Sequence, residues 1–488
     1  MDFTELRDFD SLVEKTLPTV KSKDDFKNMN YFGTKQKLLS HIYEGYTILP
    51  LVYHKTFLDP LKYIATNFYE ELRGYTKRYP NSNAGPFREW LDSIYQHKSG
   101  YLLKYTRAFE ESIADLYDGF LSMEERINIK PPDYEKFSPL VRWGGRDAGP
   151  YTYPATGPPI YPDTPEMNVA VVSMPPAYAQ NIALWAAIGH ETGGHDVLHA
   201  DKGLLNELED VTTKQIMKEE KLKGHQVMYN GRQLPLADFA AGYWKYTMDE
   251  TASDVCGLLN LGPAAGIGLA VLLISITEMR TGKRNLVSSG RLSDVHPIHA
   301  IRVLLAADVI RNIPDLDAHV AGMWADALEG IVDKYIDNKN EYVLYTQTES
   351  GKEKNTEIPY DDMRNTVKIV AKTLAFTPLM SLEGHSLSEI NTWANSDETI
   401  ALRIANELLD KKEPSIISGK YEDTIYAAHI ISGAVIALAN MADLQTTTDL
   451  AINALNKMYD TNHVFHGFPF RFRSDVYVHN LVSSFKED

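Results

Sequence analysis

Apolar positions recur at three- and four-residue intervals over most of residues 1 to 140, with aromatics among them, as in "QKLLSHIYEGYTILPLVYHKTFLDPLKYIATNFYEELRGY". That spacing predicts amphipathic helices, separated by turn residues at "YPNSNAGP". From Trp143 to Pro165 the pattern breaks: "WGGRDAGPYTYPATGPPIYPDTP" is too rich in Pro and Gly for a helix and reads as a link or a wrap. The β-branched run Met167 to Met174, "MNVAVVSM", stopped by Pro175-Pro176, predicts a strand. A helix carrying histidines follows, then a polar loop region from Asp201 to Leu236, a helix around Tyr243 to Leu259, and a long apolar segment. The last third is helical again except for a hairpin at "EYVLYTQTESGKEKNTEIPY", with Ser350-Gly351 at its turn. The expected fold class is therefore α+β and predominantly α-helical, in three parts: a helical region over 1–140, a chemically dense middle over 141–310, and a helical region with a β-hairpin over 311–488.

The apolar segment, Val255 to Ile276, carries no charge and is long enough to span a bilayer. Asn260 and five Gly or Pro positions dilute it, and no basic cluster flanks it, so the expectation is a core helix broken at Gly262-Pro263. The run Ala427 to Ala442 reads as core in the same way. Composition agrees with a globular chain: 488 residues, 44% hydrophobic and 24% charged. Subtracting 66 acidic from 49 basic residues leaves a net charge of −17, which opposes binding to nucleic acid or to anionic membranes. One cysteine, Cys256, excludes an intrachain disulfide framework and a cysteine-based zinc cluster. With an acidic start and no signal peptide visible, a cytoplasmic location is expected.

The chemistry concentrates in "HETGGHDVLH", residues 190 to 199. His190 and His195 are five apart, about 140° around a regular helix, and would not converge. A π-bulge at Gly193-Gly194 would bring them to one face, although each glycine costs about 1 kcal/mol relative to alanine. Glu191 would then stand beside the ion as a base that is not a ligand. The competing pair is His195 and His199, spaced i and i+4 without a bulge, with Asp196 in the base's place. A third ligand is needed, and "YTMDETASDVCGLL" supplies Glu250, with Asp254 one turn on to orient an imidazole.

His190-Glu191-x-x-Gly194-His195 matches the H-E-x-x-G-H motif of the dipeptidyl peptidase III family, and Asp249-Glu250-Thr251-Ala252-Ser253-Asp254 resembles its E-E-x-x-A-E/D motif. His296-Pro297 followed by Arg302 resembles the H-P-x-x-x-x-R motif of the CAAX prenyl protease and heat-shock-protease family. Both families are gluzincins. The resemblance covers about residues 165 to 305, with Asp249 and Ser253 departing from the first pattern and the inserted residue from the second. It implies a zincin-like catalytic core over 141–310 with Zn2+ on His190, His195 and Glu250, Glu191 as general base, and a peptide or protein substrate. His296 and Arg302 are assigned to the transition state, Arg302 either directly or by pairing with an acidic neighbour such as Asp254. Pro297 is expected in the first turn of the helix that follows. The strand at Met167 to Met174 is either the edge strand on which an extended peptide adds, as in zincin-like peptidases, or an ordinary strand of a sheet.

The function expected is that of a zinc-dependent metallopeptidase. A catalytically silent metal- or peptide-binding protein on the same scaffold is the alternative. A helical di-metal carboxylate oxidase ranks below both, because it needs Glu-x-x-His pairs that are missing here. "FHGFPFRFR", with His463 and His466, is expected to pack against the body.

Overall fold

The computed structural model describes residues 2–462 apart from 25, 27–29, 79–85, 124, 135, 146–148, 156–168, 194, 348–352 and 416–424. It is 66% helical, with three small sheets. The segment with His463 and His466, the Ser350-Gly351 turn and Gly194 lie outside the described residues.

Among the described residues, the longer helices that lead are α1 (Phe9–Lys21), α2 (Lys35–Ile48), α3 (Asp59–Asn67), α4 (Tyr69–Arg78), α5 (Pro86–Ser99) and α6 (Leu103–Leu121). Their apolar faces divide between two cores. Leu38, Leu61, Leu72 and Trp90 of α2 to α5 close over one core, while Leu12 and Val13 of α1 and Phe109 and Tyr117 of α6 enter the main one.

The first sheet joins the two cores. Its strands β1 (Leu140–Trp143), β2 (Tyr151–Tyr153) and β3 (Val171–Met174) lie in the order β1-β3-β2, with β3 parallel to β1 and antiparallel to β2. Of the two readings of Met167–Met174, the ordinary sheet strand holds for its described part, Val171–Met174, and the edge strand does not. β3 is the central strand, and burial at all four positions is that of a strand covered on both faces. The two edges are β1, whose backbone is met by the side chains of Ser93 and Gln96, and β2, inside the Pro/Gly-rich stretch, whose only strand partner among the described residues is β3.

Next come α7 (Ala187–Gly193) and α8 (Leu204–Lys218), then the hairpin of β4 (Gln226–Tyr229) and β5 (Arg232–Pro235). The polar loop expected over Asp201 to Leu236 is therefore largely ordered. Leu204, Leu208, Thr212 and Ile216 bury one stripe of α8, and Asn230-Gly231 takes the positive φ values (52° and 79°) that a two-residue hairpin turn requires.

Helices α9 (Leu236–Tyr246), α10 (Met248–Leu261) and α11 (Pro263–Thr281) follow. The break between the last two falls at Gly262-Pro263 as expected. Gly262 has φ +55°, and a Cβ there would sit 2.5 Å from the Trp393 ring. α11 is long and apolar enough to cross a membrane, but 67% of its apolar window is buried inside the fold, and it packs as core.

Strand β6 (Ser289–Arg291) precedes α12 (His299–Arg311) and α13 (Ala318–Tyr335). It pairs in parallel with β7 (Glu341–Gln347), which is antiparallel to β8 (Glu353–Pro359), so the expected hairpin gains a strand from the middle of the chain. Helices α14 (Tyr360–Phe376), α15 (Asn395–Leu409), α16 (Ala427–Ala439) and α17 (Leu444–Asn462) complete the main core, with α16 buried along its whole length.

Candidate metal centre

The apolar residues Ile182 to Ile188 are buried and seat α7 in the core, leaving His190 on its cleft side. The helix is described as far as Gly193; the bulge expected at Gly193-Gly194 falls on Gly194, outside the described residues, and residues 195–199 are a turn and a 3-10 turn. Two adjacent glycines favour ending a helix over propagating it. The turn has the effect sought from the bulge: His195 is free of the 100° step, and its ring centroid lies 5.3 Å from that of His190.

The turn is fixed by Asp196. This carboxylate is buried and accepts from Lys136 Nζ (2.9 Å), the Ala155 N–H (3.0 Å) and Tyr117 Oη (3.3 Å), so it is committed to structure and not to a base's role. His199 follows on a single 3-10 turn, half-exposed, with Nε2 3.9 Å from Asp249. The regular-helix pair of His195 and His199 does not form, because residues 195–199 are not α-helical.

On α10, Glu250, Asp254 and Gly257 fall at i, i+4 and i+7 and share one face. That face meets α7 at glycine on both sides. A Cβ on Gly189 would reach Leu261 Cδ1 at 2.7 Å and Gly257 Cα at 3.2 Å. One turn from this contact, ligand atoms of His190, His195 and Glu250 gather within 4.8 Å of one another.

The orientation of His190 is over-determined. Its Nδ1 donates to Asp254 Oδ1 (2.8 Å), and Asp254 accepts a two-pronged pair from Arg302, Nε to Oδ2 and Nη2 to Oδ1, both at 2.7 Å. With the Nδ1 hydrogen placed there, a neutral His190 turns the lone pair of Nε2 toward Glu250 Oε2, 3.2 Å away. That oxygen is buried and has no hydrogen-bond partner among the described residues. Two lone pairs face each other, an arrangement that needs a cation or a proton between them. Two imidazoles and a carboxylate are the donor set of a zinc site, and an imidazole backed by a carboxylate is the usual support of such a ligand.

The charges agree. Burial alone would lower the His190 pKa, but Asp254 and Glu250 outweigh it and push it up to about 10. Burial would raise Glu250, yet the imidazoles of His190, His195 and His296 hold it down at about 2. Asp254 and Asp249 are held well below the carboxylate range in the same way, by Arg302 with His190 and by His195 with His199. His195 is raised despite burial, by Asp249 and Glu191.

His296 lies before α12, half-exposed, with Nδ1 3.0 Å from Asp294 Oδ1 and Nε2 3.4 Å from Glu250 Oε2. Pro297 is not in the first helical turn: Ile298 intervenes with ψ 137° and donates its N–H to Tyr243 Oη (3.1 Å), so α12 starts at His299. Of the two roles open to Arg302, the geometry has the pairing with Asp254.

Glu191 is 5% exposed, and Thr152 Oγ1 on edge strand β2 shares its hydrogen between Glu191 Oε2 (2.8 Å) and the Glu191 carbonyl (2.9 Å). A cleft of about 740 Å³ opens here, lined by β2, the histidine cluster and one face of α11. Thr152, Lys136, Gly189 and the packing role of Gly257 are what sequence reasoning missed, and Asp196 was weighed only as a base. Only the small residues at 189 and 257 left any signal, and a single chain cannot say which glycine meets which. No family model, no curated protein and no solved structure matches the chain.

Proposed function

We propose that the chain is a zinc-dependent peptidase of gluzincin type, with a zincin-like core over 141–310. The observation that carries the reading is the opposition of His190 Nε2 and the unpartnered Glu250 Oε2 at 3.2 Å, with His195 completing the set. His190, His195 and Glu250 would hold the ion. Zinc, when bound, supplies Lewis acidity, lowering the pKa of water and offsetting charge on a carbonyl oxygen.

The remaining work falls to side chains. Glu191 takes the proton of the attacking water and returns it to the leaving amine, with Thr152 holding its carboxylate. His296, steadied by Asp294, donates to the developing oxyanion from Nε2 in its protonated form. Arg302 is a positioning residue, acting through Asp254 on His190. The edge strand β2 beside Glu191 offers main-chain groups to an extended peptide.

The test is zinc analysis of the purified chain with kinetics on a peptide pool. One zinc per chain is expected. Glu191→Gln should keep the zinc and lower kcat by about 10²- to 10⁴-fold, whereas Glu250→Ala should lose both. Zinc-loaded wild type with no cleavage, and no effect of Glu191→Gln on any measured property, would leave the silent binding protein.

A further inference from the structure

Leu269, Leu272, Leu273, Ile276 and Arg280 of α11 all line the cleft. They fall at i, i+3, i+4, i+7 and i+11, one continuous stripe on a helix. The first four are apolar; the last stands one turn, about 6 Å, beyond Ile276. Arg280 is exposed and has no ion-pair or hydrogen-bond partner among the described residues. The other guanidinium in the cleft, Arg302, is fully engaged by Asp254. Apart from the histidines, the remaining charged lining, Glu191, Asp249, Glu250, Asp254 and Asp294, is acidic. Of the two guanidinium groups lining this cleft, Arg280 alone has no partner among the described residues, and it stands at the end of an apolar wall.

His299 flanks the stripe, and its tautomer is set. Thr277 Oγ1 donates its only hydrogen to the Leu273 carbonyl (2.9 Å), so it accepts from His299 Nδ1 (3.1 Å). His299 Nε2 is therefore an acceptor, without a partner among the described residues.

We propose that this stripe is the specificity site for one residue of the substrate, an apolar side chain seated on Leu269, Leu272, Leu273 and Ile276 and a carboxylate bound by Arg280, with His299 Nε2 accepting an adjacent N–H. The proposal rests on the peptidase reading. The carboxylate is either the C-terminus or a neighbouring acidic side chain.

Zinc analysis and cleavage of a peptide pool by wild type report on the peptidase reading without reference to Arg280. The inference is tested by binding to the zinc-loaded Glu191→Gln chain, with acetyl-Ala-Ala-Leu-Leu as free acid, the same peptide as C-terminal amide, and acetyl-Ala-Ala-Leu-Glu amide. A C-terminal source predicts that the free acid binds about tenfold or more tighter than its amide, and a side-chain source predicts the same preference for the Glu peptide over the Leu amide. In either case Arg280→Ala should abolish the preference by weakening only the favoured carboxylate peptide to the level of the Leu-Leu amide, and be partly rescued by Arg280→Lys. Equal binding of all three peptides, binding of none, or a preference that survives Arg280→Ala overturns the inference.

Discussion

Gly257 lies so close to the His190 helix that a Cβ on it would sit 3.0 Å from the carbonyl carbon of Gly189 and 3.1 Å from the His190 nitrogen. The obstacle is backbone, which cannot rotate away, so any side chain at 257 must push α10 off α7 and carry Glu250 away from His190. Gly257→Ala should lower the melting temperature by the equivalent of about 1–3 kcal/mol of overpacking and weaken zinc binding in a chelator-competition titration. Gly242→Ala in α9 is the control: nothing lies within 4 Å of its Cβ, and the same change there should stabilise by up to about 1 kcal/mol. A Gly257→Ala chain with wild-type zinc affinity would show that the close approach does not set the site.

Arg302 holds Asp254 by two hydrogen bonds, and Asp254 holds His190. Arg302→Lys keeps the charge but loses the fork. Zinc affinity should fall about 10- to 100-fold, as for other groups that orient a ligand, with KM little changed. Arg302→Met leaves Asp254 buried without its cation and should cost about 3–5 kcal/mol in stability. Unchanged zinc affinity in both variants would assign Arg302 to the fold alone.

Protonation of His190 opposes zinc at the same lone pair. In chelator-treated protein its pKa of about 10 lies above the ordinary 6.5. A raised folded-state value gives stability that is fully present below about pH 6.5 and lost as pH rises toward 10. The melting temperature of the metal-free chain should therefore decline over that window. Zinc affinity should rise over it, since binding displaces the proton. Calorimetric titration in buffers of different ionisation enthalpy measures that proton release, and none at pH 7.5 would contradict the assignment of His190 as a ligand.

Asp196 ties the His195 turn to α6, to Lys136 and to the segment after β2. Asp196→Ala leaves Lys136 charged and buried, which should destabilise by about 3–5 kcal/mol. Lys136→Met with Asp196→Leu removes both charges and should recover much of that loss while zinc affinity stays low, because the turn has still lost its anchor. Full zinc affinity in the double variant would mean that the glycines and His195 hold the turn unaided.

The features legible in the chain are those set by neighbours in sequence. Apolar spacing marked the helices, Gly262-Pro263 marked the break between α10 and α11, and the Ser350-Gly351 turn signal marked the β7–β8 hairpin. Asn230-Gly231 was an equally local signal for the β4–β5 hairpin, and the polar residues around it hid it. The residues that gather at the cluster, His190, His195, Glu250 and Asp254, were nameable because their chemistry is written in their side chains. How they gather was not. The turn that carries His195 depends on Asp196 finding Lys136, Tyr117 and Ala155 across 41 to 79 positions of chain. The identity of the edge strand depends on which of three short strands pairs on both sides, and β2, three residues among prolines and glycines, has too short a pattern to announce itself. The Gly189–Gly257 contact, Arg302 on Asp254 and the wall of α11 are likewise pairings between distant segments. Local sequence determined what each segment is and which chemistry it carries; only tertiary packing decided which segments face one another, since close approach is a property of two surfaces and a single chain of letters specifies each surface separately.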